Sequence, residues 1–84
     1  MQEVDRASDT PPYLQVAAQL RAAIVAGDYL PRSRLPSIER IGQETGVARF
    51  TARKAYQVLV DEGYARIVTG WGAFATEREQ WPEG

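Results

Sequence analysis

The chain has 84 residues, 44% of them apolar, which is enough for one small domain with one modest core. It contains no cysteine and no histidine, which excludes disulfides, the usual zinc sites, and Ser-His or Cys-His catalysis. Ten cations against eleven acids give a net charge of −1, an unpromising total for a nucleic-acid binder until its distribution is considered.

Residues 1–31 carry two arginines against four acids, net −2, and residues 55–84 carry two against five, net −3. Between them, residues 32–54 hold six cations against two acids, net +4. A local patch of this kind suffices for phosphate contact when the Debye length is about 8–10 Å. The longest apolar runs fall far short of the ~18 residues a membrane span needs, and the N-terminus has no signal-peptide pattern. With the missing cysteines, this suggests a cytoplasmic protein.

Residues 1–10, MQEVDRASDT, have many charges and no period, and read as a flexible arm. Pro11 and Pro12 stand where proline is tolerated at a helix start, with Thr10 as a possible cap. Tyr13, Ala17, Leu20 and Ile24 then follow at helical spacing, widened by Leu14, Val16 and Ala23, and Gly27 ends this structural helix. Tyr29 to Leu35, broken by Pro31 and closed by Leu35-Pro36, reads as a loop or a very short strand. Ser37 is a good cap for a second short helix that turns Ile38 and Ile41 inward and stops near Thr45-Gly46. Two helices joined by a tight glycine-containing turn form a helix-turn-helix pattern.

The third helix opens at Ala48, a poor cap, and concentrates the basic charge. Arg49, Phe50, Arg53, Lys54 and Gln57 fall on one stripe, while Ala52, Ala55, Tyr56 and Leu59 form the apolar stripe opposite. Asp61 and Glu62 come only at its end. Cations first and acids last oppose the helix macrodipole, at about 0.3–1 kcal/mol per misplaced charge. Such a helix is read as meeting a polyanion; the alternative is a solvated charged face. After Glu62-Gly63, residues 64–68 and 73–76 read as strands around the turn Thr69-Gly70-Trp71-Gly72. A lone hairpin is marginal in water, so this one must lean on the helices. Residues 77–84 are polar, with Trp81 either a loose tail aromatic or packed against something absent.

The expected architecture is mainly α with small β, a winged helix-turn-helix of three helices plus a two-stranded wing, with a possible short extra strand. It spans 11–76, between the flexible arm at 1–10 and a polar tail or linker start at 77–84.

A series of short motifs runs through residues 12 to 76: Pro12-Tyr13 with Gln15-Val16-Ala17, Leu20-Arg21 with Ile24, and Gly27-Asp28-Tyr29 with Pro31. Leu35-Pro36-Ser37, Gly46-Val47 and Arg49 with Thr51 and Arg53 follow. Leu59 with Glu62-Gly63 and Gly70-Trp71-Gly72 with Phe74 complete the series. In this order and spacing the chain resembles the N-terminal DNA-binding domain of GntR-family bacterial transcription regulators. The resemblance implies DNA contacts at Arg49, Thr51, Arg53, Ser37 and Gly70. Three departures touch that surface. Pro31-Arg32 stands for the family's Pro-Gly, Ala48 replaces a hydroxyl cap, and Ile38-Glu39 replaces a glutamate followed, in some members, by a DNA-contacting arginine. Arg40 is one residue along, about 100° around the helix.

In a major groove, Arg49 and Arg53 would bind guanine bidentately, while Thr51 and Lys54 would hold phosphates. Phe50 either presses on a thymine methyl or covers the second helix. Ser37, with Arg40 behind it, would face a phosphate at a helix start. Gly70 and Gly72 let the wing backbone approach the sugar-phosphate wall, and Trp71 at that tip either touches DNA or folds back on Tyr64 or Phe74. The resemblance implies double-stranded operator DNA, arranged as an inverted repeat, as partner, with repression as the family's default. It also implies a C-terminal effector-binding and dimerising domain, for which this chain has no room; it is either an excised domain or a short regulator. By itself it is expected to be mainly monomeric, with the functional dimer forming on DNA or through that missing domain. No cofactor, metal or catalytic residue is expected. The alternative function is a protein-interaction winged helix that docks on an acidic partner.

Overall fold

The computed structural model describes residues 1–82. Helix α1, Pro12–Ala26, starts without a side-chain cap. The carbonyl of Pro11, rather than Thr10, accepts the N–H groups of Leu14 and Gln15, and Pro12 at the first helical position has no N–H that needs a cap. Its apolar stripe buries Val16, Ala17, Leu20 and Ile24, with Tyr13 only partly covered. Helix α2, Ile38–Thr45, is capped by the Ser37 hydroxyl, which accepts the Arg40 N–H at 3.0 Å. Gly46 ends it at φ 81°, a left-handed conformation that turns the chain sharply into α3.

Helix α3, Arg49–Glu62, buries the four residues of its expected apolar stripe: Ala52, Ala55, Tyr56 and Leu59. These pack against α1 on one side and α2 on the other. An ion pair from Arg21 to Glu62 (2.7 Å) ties α1 to the end of α3.

Strands β1, Ala65–Val68, and β2, Gly72–Ala75, pair antiparallel with Ala65 opposite Ala75 and Ile67 opposite Ala73. The small alanines face inward, so the wing lies close on the helices; Ala65, Ala73 and Ala75 are all buried. The segment read as a loop or short strand adds a third line of pairing. Arg32 N–H donates to Ala75, Ala75 N–H to Ser33, and Leu35 N–H to Ala73, each near 2.9 Å. The architecture is the expected one: three helices and a two-stranded wing, with a short extra bridge between Arg34 and Phe74.

The N-terminal segment and the described part of the tail lie closer to the domain than their composition suggests. Within the expected arm, Val4 is buried and its N–H donates to Thr45 at 3.1 Å. Gln15 and Gln19 exchange hydrogen bonds with the backbone of Asp5 and Gln2, and Arg6 donates to the carbonyl of Gly46. One apolar residue and two glutamines on α1 give the segment its seat. In the tail, a short 3-10 turn at Arg78–Gln80 brings Trp81 against Tyr64, ring centroids 5.7 Å apart, with Arg78 over the indole. Gly63 permits this approach: a Cβ there would lie 2.3 Å from the Gln80 carbonyl oxygen. The end of the expected tail, residues 83 and 84, lies outside the described residues.

Candidate nucleic-acid interface

Helix α3 is buried along one stripe and open along the other. Arg49, Phe50, Arg53, Lys54 and Gln57 are all exposed, and Phe50 is 71% accessible. Phe50 therefore does not cover α2, and stands as an apolar group among cations. Thr51 is half-buried beside them. No acid stands in the first turn of α3 and no base in its last, so the helix has the charge order that opposes its macrodipole.

A groove of about 490 Å³ runs beside this face. Its walls are α3, the segment leading into α2, and the wing, contributing Arg53 and Gln57, Ser37, and Ile67 and Gly72 respectively. Tyr56 fixes the wall between them. Its buried hydroxyl donates to the Pro36 carbonyl, so the Leu35-Pro36-Ser37 segment is held to α3. Burial pushes the Tyr56 phenol well above its ordinary pKa, which keeps it a donor. The Ser37 oxygen already accepts the Arg40 N–H, and its own O–H remains to donate outward.

The cations divide into committed and uncommitted groups. Arg40 donates to Glu44 at 2.7 Å, and Glu44 also receives the terminal ammonium of Met1. The Glu44 hydrogen bond raises the pKa of Arg40, and Arg40 in turn holds Glu44 below the usual carboxylate range. Arg49 donates to Glu39 across the helix-turn-helix at 2.9 Å. Lys54 lies over the Tyr13 ring, 4.3 Å from its centroid, at the edge of the face towards α1. Among the described residues, Arg34 and Arg53 form no ion pair, and both line the groove.

Arg34 is the residue that sequence pattern misses. Its backbone bridges to Phe74, and its guanidinium lies over Gly72, where a Cβ would sit 3.4 Å from Nε. Its membership of the basic middle segment is the only sequence signal; the bridge that aims it joins distant parts of the chain.

At the wing tip Gly70 has φ 84° and Trp71 is 67% accessible. The Trp71 ring is thus not folded back for cover on Tyr64 or Phe74. Tyr64 is instead covered by Trp81, and Phe74 by Arg66. Of the expected contact residues, Ser37, Arg53 and Gly72 line the groove together, Arg49 is bonded to Glu39 on its wall, and Phe50, Gly70 and Trp71 are exposed outside that lining. The structure turns Arg40 towards α2's own acid and sets Lys54 at the margin.

A helix-turn-helix with a wing beside its second helix, both edged by cations, defines a winged helix-turn-helix domain. The profile of "Bacterial regulatory proteins, gntR family" matches residues 12–74, and the chain belongs to that family. The HTH-type transcriptional repressor NagR of Bacillus subtilis is 32% identical over 74 residues, covering 88% of this chain and 30% of NagR. The crystal structure of a GntR-family transcriptional regulator is 41% identical, with TM-score 0.76, over 83% of this chain and 28% of that one. The DNA-binding domain of AraR in complex with operator ORE1 is 32% identical, with TM-score 0.79, over 90% and 93% of the two chains. The chain therefore spans less than a third of NagR, but nearly the whole of the AraR domain. No helix among the described residues is long and apolar enough to cross a membrane.

Proposed function

We propose that this chain is the DNA-binding domain of a bacterial transcription regulator, recognising double-stranded operator DNA with a repressor's outcome. The observation that carries it is the pairing of Arg49 and Arg53, one turn apart on the open face of α3, with the groove between that helix and the wing. The operator-bound AraR domain, alike over nine-tenths of this chain, supports the same use of the fold.

In this reading the N-terminal half of α3 enters the major groove and its arginines bind guanine O6 and N7. Phe50 meets a thymine methyl. Ser37, Thr51 and Arg34 hold phosphates on one strand, and the wing from Gly70 to Gly72 lies along the sugar-phosphate wall, with Trp71 against it. Lys54 and Arg40 strengthen the field at the margin.

A single small winged helix covers one half-site, so two copies are needed for an inverted repeat. Alone the chain is mainly monomeric and binds weakly; a dimerising partner segment supplies the second contact. The test joins two copies through a flexible linker and a coiled coil placed after Gly84. On a palindromic duplex obtained by selection, the joined form binds about 10²–10⁴ times more tightly than the single chain, and scrambling one half-site removes the gain. Equal affinity of single and joined forms would refute the two-copy mechanism. Binding to an acidic protein that duplex DNA fails to displace would favour the protein-interaction alternative.

A further inference from the structure

Among the described residues Glu39 is the one carboxylate that lines the groove of the proposed DNA face, and it stands where sign alone argues against it. It follows Ser37 by two positions on α2, and its Oε2 accepts a hydrogen bond from Nη1 of Arg49, the first residue of α3. Both side chains are about 60% exposed. An exposed pair adds little to the stability of a fold, while a carboxylate beside Ser37 and Arg53 repels the phosphates those groups would attract. Its own backbone N–H and the charge of Arg49 hold the Glu39 carboxyl below its ordinary pKa, so it is ionised at neutral pH.

The geometry gives the pair a role in the bound state. A guanidinium has five N–H donors, and Glu39 takes one. The others have no partner among the described residues, and guanine asks for two. The turn at Gly46 and the packing of α2 on α3 fix the distance between the two backbones. Glu39 can therefore restrict where the Arg49 guanidinium goes. Arg53, one turn further on, has no such tether among the described residues.

We propose that Glu39 is a positioning residue for base recognition: it holds Arg49 for a base edge and keeps it from settling on a phosphate. This rests on the DNA-binding reading above and deepens it, by assigning selectivity to an acid on α2 that acts through an arginine on α3. Glu39→Gln removes the charge and keeps the shape. The variant binds all duplexes more tightly, with a log-affinity against log-salt slope steeper by about 0.9 for the one cation released to a phosphate. Its preference at the base pair read by Arg49 falls by about fivefold or more.

The experiment compares the wild-type chain, Glu39→Gln, Arg49→Ala and the double variant, each in the joined two-copy form described above, on a pool of duplexes with a randomised core, reading base preferences from the bound fraction. Thermal melting, expected to be unchanged in Glu39→Gln, shows that the fold is intact. The proposal is supported when Glu39→Gln and Arg49→Ala flatten the same base pair and the double variant is no flatter than Arg49→Ala. It is overturned if Glu39→Gln leaves the preferences unchanged, or raises every affinity by one factor, which is plain repulsion. It is equally overturned if the flattened base pair is one that Arg49→Ala leaves intact, since Glu39 would then read a base itself. A wild-type chain that enriches no sequence would sink the DNA-recognition reading, and Glu39's role with it.

Discussion

The two faces of α3 follow different physical rules. On the rear face Ala52, Ala55 and Leu59 are wholly inaccessible and Tyr56 nearly so; these positions are decided by packing against α1 and α2. On the front face the residues are exposed, their charges run against the macrodipole, and an aromatic ring stands in solvent. The rear stabilises the isolated domain. The front is arranged for something the isolated domain lacks, and the difference between faces one helix-width apart is the clearest sign of function in the molecule. Substitutions on the rear should therefore be read in stability, and those on the front in DNA binding.

The largest effect is expected from Leu59→Ala, at the meeting of α1 and α3. It loses about 2–5 kcal/mol, a large fraction of the 5–15 kcal/mol typical of a whole domain, as a lower urea midpoint. A loss below 1 kcal/mol would mean that the rear stripe is not the core.

Tyr56→Phe comes next, because it leaves the buried Pro36 carbonyl without its donor, at a cost of about 1–3 kcal/mol. It also carries a pH signature. The folded state raises the Tyr56 pKa, so it holds that proton more tightly than the unfolded chain, whose tyrosines titrate near 10. The resulting stability is complete below about pH 10 and is lost as pH rises beyond it. Urea midpoints from pH 8 to 11 should fall more steeply for the wild type than for Tyr56→Phe; parallel curves would contradict the assignment.

On the front, Arg53→Ala should leave stability within about 0.5 kcal/mol and remove about 1–3 kcal/mol of discrimination at one base pair. Equal weakening on all duplexes would make Arg53 a phosphate clamp. Arg34→Ala is the mildest of the set. It weakens every duplex alike and lowers the salt slope by about 0.9, whereas a changed base preference would place Arg34 at a base edge.

The rear of α3 is legible in sequence because burial imposes a 3.6-residue period, and the Ser37 cap because its signal lies within three residues. The front is legible in part. Arg49, Arg53 and Phe50 announce a basic stripe, and family resemblance adds Ser37 and the wing glycines. What escapes pattern depends on pairings between distant segments. Arg34 is aimed by a bridge to Phe74, and Val4 is seated by Thr45. Glu39 reads in sequence only as a departure from the family, whereas its partnership with Arg49 needs the two helices placed side by side. The tail is similar: Trp81 is given its place by Tyr64 and by the bare backbone of Gly63.

The most direct test of DNA binding through the front of α3 and the wing follows the backbone amide signals of the chain while a selected duplex is added. Signals from Ser37, Arg49 to Lys54 and Gly70 to Gly72 should shift together and saturate, while Ala17, Leu20 and Ile24 on α1 stay in place. Shifts centred on α1 or on Arg78 to Trp81, with Arg49, Arg53 and the wing unmoved, would contradict it.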